Sequence, residues 1–368
     1  MNEAGDVVGT STTGSGAWVS RSAAPASLLP VPPGAPFARA NDINDAGVIV
    51  GSVGSSSYPG YGRAAAWVPD GAGGYTIHDL GTLPGHVHSE ALAVNNVGDI
   101  VGYSSNGTFR YAVRFVISGN IQDLSSTGIF DPVDINDRRV LVDQSSAVKR
   151  LDLNTMIVED LGAPPSGASG SYVAARAEAI NEHGQVAGAA ILATSTNCNH
   201  QAARFRDDGG WEVLSGCGQS NSAWDMNDHG DVVMRLNVAP YVHLEGLGTF
   251  RIEDVIVADT GHWYVINGYG LTINNSRQMA VPATNSATGE SGIVLLTPVA
   301  RRAGDPNCDG AVDNFDIDPF VLALADAGAY AAAYPDCDIN NADVNGDGAV
   351  NNFDIDPFVQ CVVGGGCP

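Results

Sequence analysis

The chain has 368 residues, with 41 Asp and Glu against 17 Lys and Arg and a net charge of −24. So acidic a surface repels nucleic acid and anionic membranes while welcoming cations, and no apolar run reaches the roughly 18–20 residues of a membrane span. With 44% of its residues apolar, the chain has the material for packed cores in two or three domains.

The opening run, Met1-Asn2-Glu3-Ala4-Gly5-Asp6-Val7-Val8-Gly9, returns as Ile43-Asn44-Asp45-Ala46-Gly47-Val48-Ile49-Val50-Gly51 and as Val94-Asn95-Asn96-Val97-Gly98-Asp99-Ile100-Val101-Gly102. Further copies start at Ile135-Asn136, Ile180-Asn181, Met226-Asn227 and Ile273-Asn274. Successive asparagines are 42, 51, 41, 45, 46 and 47 residues apart, the period of four-stranded propeller blades. The chain begins in the middle of a unit, so the reading frame is expected to start inside a blade, with a secretory signal peptide upstream of Met1.

Each unit has one grammar. An apolar pair before the Asn reads as a strand, and Asn-x-x-Gly is a tight turn in which Gly supplies a positive φ. A Val-rich second strand follows. The third strand is of the kind Ala64-Ala65-Ala66-Trp67, Ala112-Val113-Arg114-Phe115 or Ala202-Ala203-Arg204-Phe205, and the fourth is Ile77-His78-Asp79-Leu80, Ile121-Gln122-Asp123-Leu124 or Val158-Glu159-Asp160-Leu161. The residue four before the Asn is small (Ala40, Ala91, Ala177, Ala223, Gly270, with Pro132 the exception), as crowding around a propeller axis demands. Arg139 and Arg277 replace the turn Gly in two copies, and looser hairpins, or hairpins of another type, are expected there.

These units predict a mainly β fold over 1–298, a propeller of seven blades. The first copy lacks its opening strand and the last its fourth, and six blades result if those two share one. The repeat resembles that of the HAF-repeat proteins, a family of extracellular bacterial proteins with an A-x-x-I-N-x-x-G-x-V-V-G run and a segment like Leu80-Gly81-Thr82-Leu83. The resemblance implies the fold and no general activity.

No catalytic residues emerge. His86 and His88 are within reach of one ion but lack a third ligand, and Ser, His and Asp occur without a nucleophile elbow. Asp42, Asp134 and Asp225 recur two residues before the Asn in alternate copies, where they would line the axial channel as turn-bonding carboxylates or as a site for an ion or a sugar hydroxyl.

A linker, 299–304, leads to a segment at 305–368 that holds twelve Asp and no Lys, Arg or Glu. Asp305, Asn307, Asp309, Asp313 and Asp316 fall at positions 1, 3, 5, 9 and 12 of an EF-hand-type loop, with Gly310 at position 6 for the sharp turn and Ala311 offering its carbonyl at position 7. The pattern recurs 38 residues later with Asp343, Asn345, Asp347, Ala349, Asn351 and Asp354. Two calcium ions are therefore expected as cofactors. Val312 and Val350 should pair the loops or fill a small core.

Cys308 and Cys337 flank the first loop and its helix, Cys361 and Cys367 close the tail, and Cys198 and Cys217 flank a hairpin, a usage suited to disulfides outside the cell. Four cysteines in the tail allow three connectivities. Asp318 and Asp356 read as N-caps with Pro319 and Pro357 at N1, which predicts helices that start late and stay short, the second running from Pro357 to about Val363.

With Asp at position 12 and a duplicated loop-and-helix layout, the segment resembles type I dockerins, modules that dock secreted proteins onto cohesins. That resemblance implies that Asn314, Phe315, Asn352 and Phe353, at loop positions 10 and 11, face a cohesin-like partner. Read from the residues alone, Phe315, Phe353, Phe320 and Phe358 serve either a partner or the domain's own core, and the small size of the domain favours the core. The sequence thus reads as a secreted binding or scaffold protein attached through its tail to a cohesin-like protein or a cell-surface component such as a carbohydrate. The alternative is a polysaccharide-degrading propeller, a glycoside hydrolase or lyase, carrying a dockerin.

Overall fold

The computed structural model describes all residues except 12–15, 23, 55–61, 145–146, 165–171, 194–199, 217, 219–220, 257–262, 266–269, 299–301, 335–336, 365–366 and 368. The expected Cys198–Cys217 pair lies outside the described residues. Among the described residues the chain forms two compact units: Met1–Ile252 with Val265–Ala283 and Gly292–Leu296, and Glu253–Tyr264 with Thr284–Ser291 and Thr297–Pro368.

The repeats fold into seven antiparallel sheets, the blades of a seven-bladed propeller. Blades two to six have four strands each, with inner strands Phe37–Ile43, His88–Val94, Pro132–Ile135, Tyr172–Ile180 and Ser222–Met226. Blade one has three strands, Val7–Thr10, Ala17–Ser20 and Ser27–Leu28, and begins after the Asn turn. Blade seven comprises Trp263–Val265, Thr272–Ile273, Met279–Asn285 and Ser291–Leu296. The two incomplete copies are therefore separate blades rather than halves of one.

Alternation in each strand sends apolar side chains into the gaps between blades. Val50, Ala66 and Leu80 of blade two, for instance, form one buried cluster with Ala91, Ile100 and Phe115 of blade three. Full burial of each large apolar side chain contributes roughly 1.5–3 kcal/mol. Two indoles packed between blades have partners for their N–H groups: Trp67 Nε1 donates to Pro30 O at 2.8 Å and Trp211 Nε1 to Leu161 O at 2.9 Å.

Each of the five complete inner strands carries a β-bulge three residues before its Asn, at Asn41, Leu92, Val133, Glu178 and Trp224. In three blades the residue opposite the bulge is glycine. A Cβ on Gly51 would stand 2.0 Å from Arg39 O, and one on Gly188 would stand 1.8 Å from Arg176 O. The last Gly of the V-V-G run is thus a close-approach residue, a role separate from that of the turn Gly.

The expectation of looser hairpins at Arg139 and Arg277 is wrong. Arg139 N donates to Asn136 O at 3.0 Å and Arg277 N to Asn274 O at 2.9 Å, the same turn as in the glycine copies, with φ of 67° and 59°. A left-handed non-glycine residue costs roughly 1–2 kcal/mol. Here each Arg also reaches back to a buried carboxylate of the preceding blade: Nε lies 2.7 Å from Asp99 for Arg139 and 2.7 Å from Asp231 for Arg277.

The second unit contains α1 (Ile317–Ala325), α2 (Ala327–Ala333) and α3 (Ile355–Gly364). Disulfides join Cys308 to Cys337 and Cys361 to Cys367, which selects one of the three connectivities in the tail. Phe320 and Phe358 stack with ring centroids 3.9 Å apart in a core with Ala323, Tyr330 and Ala342. Val312 is buried, and Val350 packs at the edge of that core.

The late helix starts expected from Asp318 and Asp356 are corrected. Helical structure begins with 3₁₀ turns at Asn314–Asp316 and Asn352–Asp354, capped by Asp313 and Asn351 in capping boxes with Asp316 and Asp354. Pro319 and Pro357 sit in the first turn that follows, where a missing N–H costs little.

Candidate functional site

Two places gather polar side chains: the axial channel of the propeller and the paired loops of the second unit.

The channel is built by the seven Asn turns. In blade two Asn44 Oδ1 accepts from Val48 N at 2.9 Å, closing its own turn, while Asn44 Nδ2 donates to Asn95 O in the next blade at 2.9 Å. The same inter-blade bond runs from Asn2 to Asn44, Asn95 to Asn136, Asn136 to Asn181, Asn181 to Asn227 and Asn227 to Asn274. Asn274 to Asn2, at 3.3 Å, completes the circle. A buried amide with one acceptor and a two-hydrogen donor closes its own turn and grips its neighbour at once.

A second circle lies one residue on. Each main-chain N–H is accepted by the side chain at the same position in the next blade: Glu3 by Asp45, Asp45 by Asn96, Asn96 by Asp137, Asp137 by Glu182, Glu182 by Asp228, Asp228 by Asn275, and Asn275 by Glu3. Sequence reasoning missed this ring. Its signal was present, because all seven residues are Asp, Glu or Asn. Burial pushes the Glu3 and Glu182 carboxyls up, and neighbouring carboxylates add to the effect.

These circles and the bulged inner strands enclose a cavity of about 590 Å³. Asp42, Asp134 and Asp225 line it, as anticipated, and so do all five bulge residues, Asn41, Leu92, Val133, Glu178 and Trp224, which the repeat pattern did not reveal. The three aspartates bond to backbone. Asp42 Oδ2 accepts from Val94 N and Asp134 Oδ2 from Ile180 N, both at 2.8 Å, and Asp225 Oδ2 from Ile273 N at 3.0 Å; each Oδ1 accepts from the residue that follows it. Each is a staple to the next blade. Burial drives all three carboxyls up, Asp134 well above its ordinary value, with Asp42 and Asp225 repelling it further.

The two histidines noted in sequence lie elsewhere. His86 shares a hydrogen bond with Ser104 at 2.9 Å and packs its ring 4.9 Å from Tyr111, while His88 begins a blade-three strand. Among the described residues no three His, Cys, Asp or Glu side chains stand close enough to hold a metal by themselves.

In the second unit both candidate loops fold back on their position-12 aspartate. Asp316 accepts from Asn307 N at 3.3 Å and Asp313 N at 2.9 Å, and Asp354 accepts from Asn345 N at 3.0 Å and Asn351 N at 2.9 Å. Positions 3, 9 and 12 are thereby brought together in each loop. Asp309 accepts from Ala311 N and Asp347 from Ala349 N, so positions 5 and 7 follow the same curve. Burial raises the Asp316 carboxyl, with Asp305 and Asp309 adding repulsion. Asp305 is 3% exposed; its Oδ2 accepts from Gly310 N at 3.1 Å, and its Oδ1 is buried with no hydrogen-bond partner. An oxygen-rich loop with a buried, unsatisfied carboxylate oxygen fits a hard divalent cation.

Phe315 and Phe353 are 77% and 72% exposed, while Phe320 and Phe358 are core. The four phenylalanines therefore divide into an outward pair beside the loops and an inward pair between the helices.

No family model matches the chain, and no curated protein does. The chain is similar in fold to virginiamycin B lyase from Staphylococcus aureus, at 12% identity and a TM-score of 0.50, over 81% of this chain and 92% of that one. It also matches a streptogramin B lyase (12% identity, TM-score 0.43, 80% and 94% covered). A third match is PorZ, a surface component of the type-IX secretion system of Porphyromonas gingivalis (14% identity, TM-score 0.44, 77% and 43% covered). At such identities the likeness concerns the propeller fold alone.

Proposed function

We propose that this chain is a secreted, non-catalytic binding protein whose propeller presents a ligand face and whose 305–368 segment is a dockerin-like module holding two calcium ions. The observation that carries the reading is Asp305 Oδ1, a carboxylate oxygen buried without a partner at position 1 of a loop whose other ligand positions curve around it. Asp305, Asn307, Asp309, Asp313, Asp316 and the Ala311 carbonyl would hold one ion; Asp343, Asn345, Asp347, Asn351, Asp354 and the Ala349 carbonyl would hold the other. Calcium supplies positive charge to a segment whose only charged side chains are aspartates, and so favours its folded form.

Attachment to a cohesin-like protein or a cell-surface component is supported by the duplicated Asn-Phe pair beside the loops, whose rings stand in solvent. Two disulfides support an extracellular setting, as does the similarity of the blades to HAF repeats. The non-catalytic reading is supported by the channel aspartates, both of whose oxygens are engaged by backbone N–H groups.

Calorimetric titration of the chelator-stripped full chain with calcium tests the reading. Two bound ions are expected, with loss of helical circular dichroism on adding EDTA. A chain that gives no binding heat and whose spectrum ignores EDTA would refute it. Pull-downs from the source organism's surface fraction should be calcium-dependent and abolished by Phe315→Ala with Phe353→Ala.

A further inference from the structure

The two loops share a sequence pattern but not a setting. At loop position 4 both backbones are left-handed, with φ of 75° at Gly346 and 57° at Cys308. Gly346 is free to leave that conformation. Cys308 is tied by its disulfide to Cys337, between ligand positions 3 and 5.

Two buried side chains hold the same stretch from the other side. Tyr330 Oη donates to Pro306 O at 2.7 Å, and Asn341 Nδ2 donates to Asp305 O at 3.0 Å. Asn341 is itself fixed, accepting from Arg302 N at 3.0 Å through its side chain and from Gly304 N at 2.8 Å through its carbonyl.

The consequence falls on the first ligand. In loop two, Gly346 N and Asp347 N both donate to Asp343 Oδ1, at 2.9 and 3.1 Å, and Gly348 N donates to Oδ2, so loop backbone already satisfies that carboxylate. The bond from position 5 N–H to the position 3 side chain is common to both loops, Asp309 N to Asn307 Oδ1 and Asp347 N to Asn345 Oδ1, each at 2.8 Å, but in loop one Cys308 N goes to Asp305 O at 3.3 Å and Asp305 Oδ1 receives neither N–H. Asp305 Oδ1 is thereby left buried and open. A ligand oxygen held in place and not otherwise engaged binds a cation without first being ordered or released, and that saving appears as affinity.

We propose, resting on the calcium reading above, that the two sites are unequal: loop one is the pre-organised, tighter calcium site, and the Cys308–Cys337 disulfide is the positioning element that makes it so. Reduction of the bond by an external dithiol, which is oxidised to its own disulfide as Cys308 and Cys337 become thiols, frees position 4 and lowers loop one's affinity while Tyr330 and Asn341 still hold Pro306 and Asp305.

The test uses the full chain with one loop silenced at a time. With Asp343→Ala only loop one remains; adding Cys308→Ser and Cys337→Ser should raise its calcium Kd about tenfold or more, the scale of lost pre-organisation. With Asp305→Ala only loop two remains, and the same cysteine pair should leave its Kd unchanged. Tyr330→Phe in the Asp343→Ala chain keeps the disulfide and the ring and removes one bond to Pro306, so a smaller weakening is expected even if the cysteine variants fold poorly. Equal losses in both loops, Kd values indifferent to the cysteines and to Tyr330, or a tighter loop two in the oxidised chain would overturn the proposal while leaving the calcium reading standing. Absence of binding in both single-loop chains and in the parent would overturn the calcium reading and this proposal with it.

Discussion

Asn274 Nδ2 donates to Asn2 O at 3.3 Å, joining residues 272 apart and closing a circle of seven asparagines. Because each amide serves two blades, substituting one breaks its own turn and the grip on its neighbour. Asn95→Ala should destabilise the propeller by about 2 kcal/mol or more, given the cost of leaving buried polar groups unpaired. Asn95→Asp retains the acceptor for Asp99 N but loses the donor to Asn136 O and buries a charge, so it should be no better. Urea denaturation followed by tryptophan fluorescence measures both; equal midpoints for Asn95→Ala and the parent would count against the ring as a closure device.

Arg277 occupies a glycine position, and replacement by Gly relieves its backbone. Even so, Arg277→Gly should destabilise the chain by about 3 kcal/mol at neutral pH, because Asp231, fully buried, loses its cation. Adding Asp231→Asn should recover part of the loss. A stabilised Arg277→Gly chain would mean that backbone strain outweighs the ion pair.

The propeller's pH dependence has two opposed limbs. Burial pulls Asp99 and Asp231 upward, but the hydrogen bonds and charges of Arg139 and Arg114 at Asp99, and of Arg277 with the Asn227 and Glu245 N–H bonds at Asp231, together outweigh it and hold both carboxyls low, so their contribution is present above the ordinary carboxylate pKa of about 3.9 and fades as pH falls through their folded values. Asp42, Asp134 and Asp225 have raised folded values, so stability is lost as pH rises from about 3.9 through those values. Urea midpoints should therefore peak in mildly acid solution. Asp134→Asn should flatten the alkaline limb, whatever it does to the midpoint itself through the lost acceptor; an unchanged slope would remove the channel carboxylates from the account.

In the second unit the stacked pair decides folding and the outward pair does not. Phe320→Ala should destabilise the unit by about 3–5 kcal/mol, enough to abolish its helical signal. Phe315→Ala should change its stability by less than about 0.5 kcal/mol. Differential scanning calorimetry with excess calcium resolves the two; a large effect of Phe315→Ala would assign that ring to the core.

Much of the fold was legible because a propeller repeats a local problem. Seven Asn turns, the third strands around Trp67 and Phe115 and the fourth strands ending at Leu80 and Leu161 follow from alternation and turn chemistry within about 45 residues. The bulges at Asn41 and Glu178 were not legible, because a bulge leaves only an opposed glycine as its trace, and Gly51 reads equally well as a strand end. The Arg139 and Arg277 turns misled for a related reason. Their left-handed backbones are sustained by Asp99 and Asp231, which are 40 and 46 residues away in sequence.

For the paired loops the sequence alone determined which oxygens occur at which positions, since ligand spacing along a twelve-residue loop is a local property. Only the tertiary structure decided that the loops differ: which cysteines pair, that Tyr330 and Asn341 reach loop one, and that Asp305 keeps an oxygen open where Asp343 does not. In the propeller likewise the sequence supplied seven asparagines and three alternate aspartates, and the closed ring made each Asn a bond between neighbours and each Asp a staple. A hydrogen bond between distant segments depends on where the fold brings them, and local spacing carries no record of that.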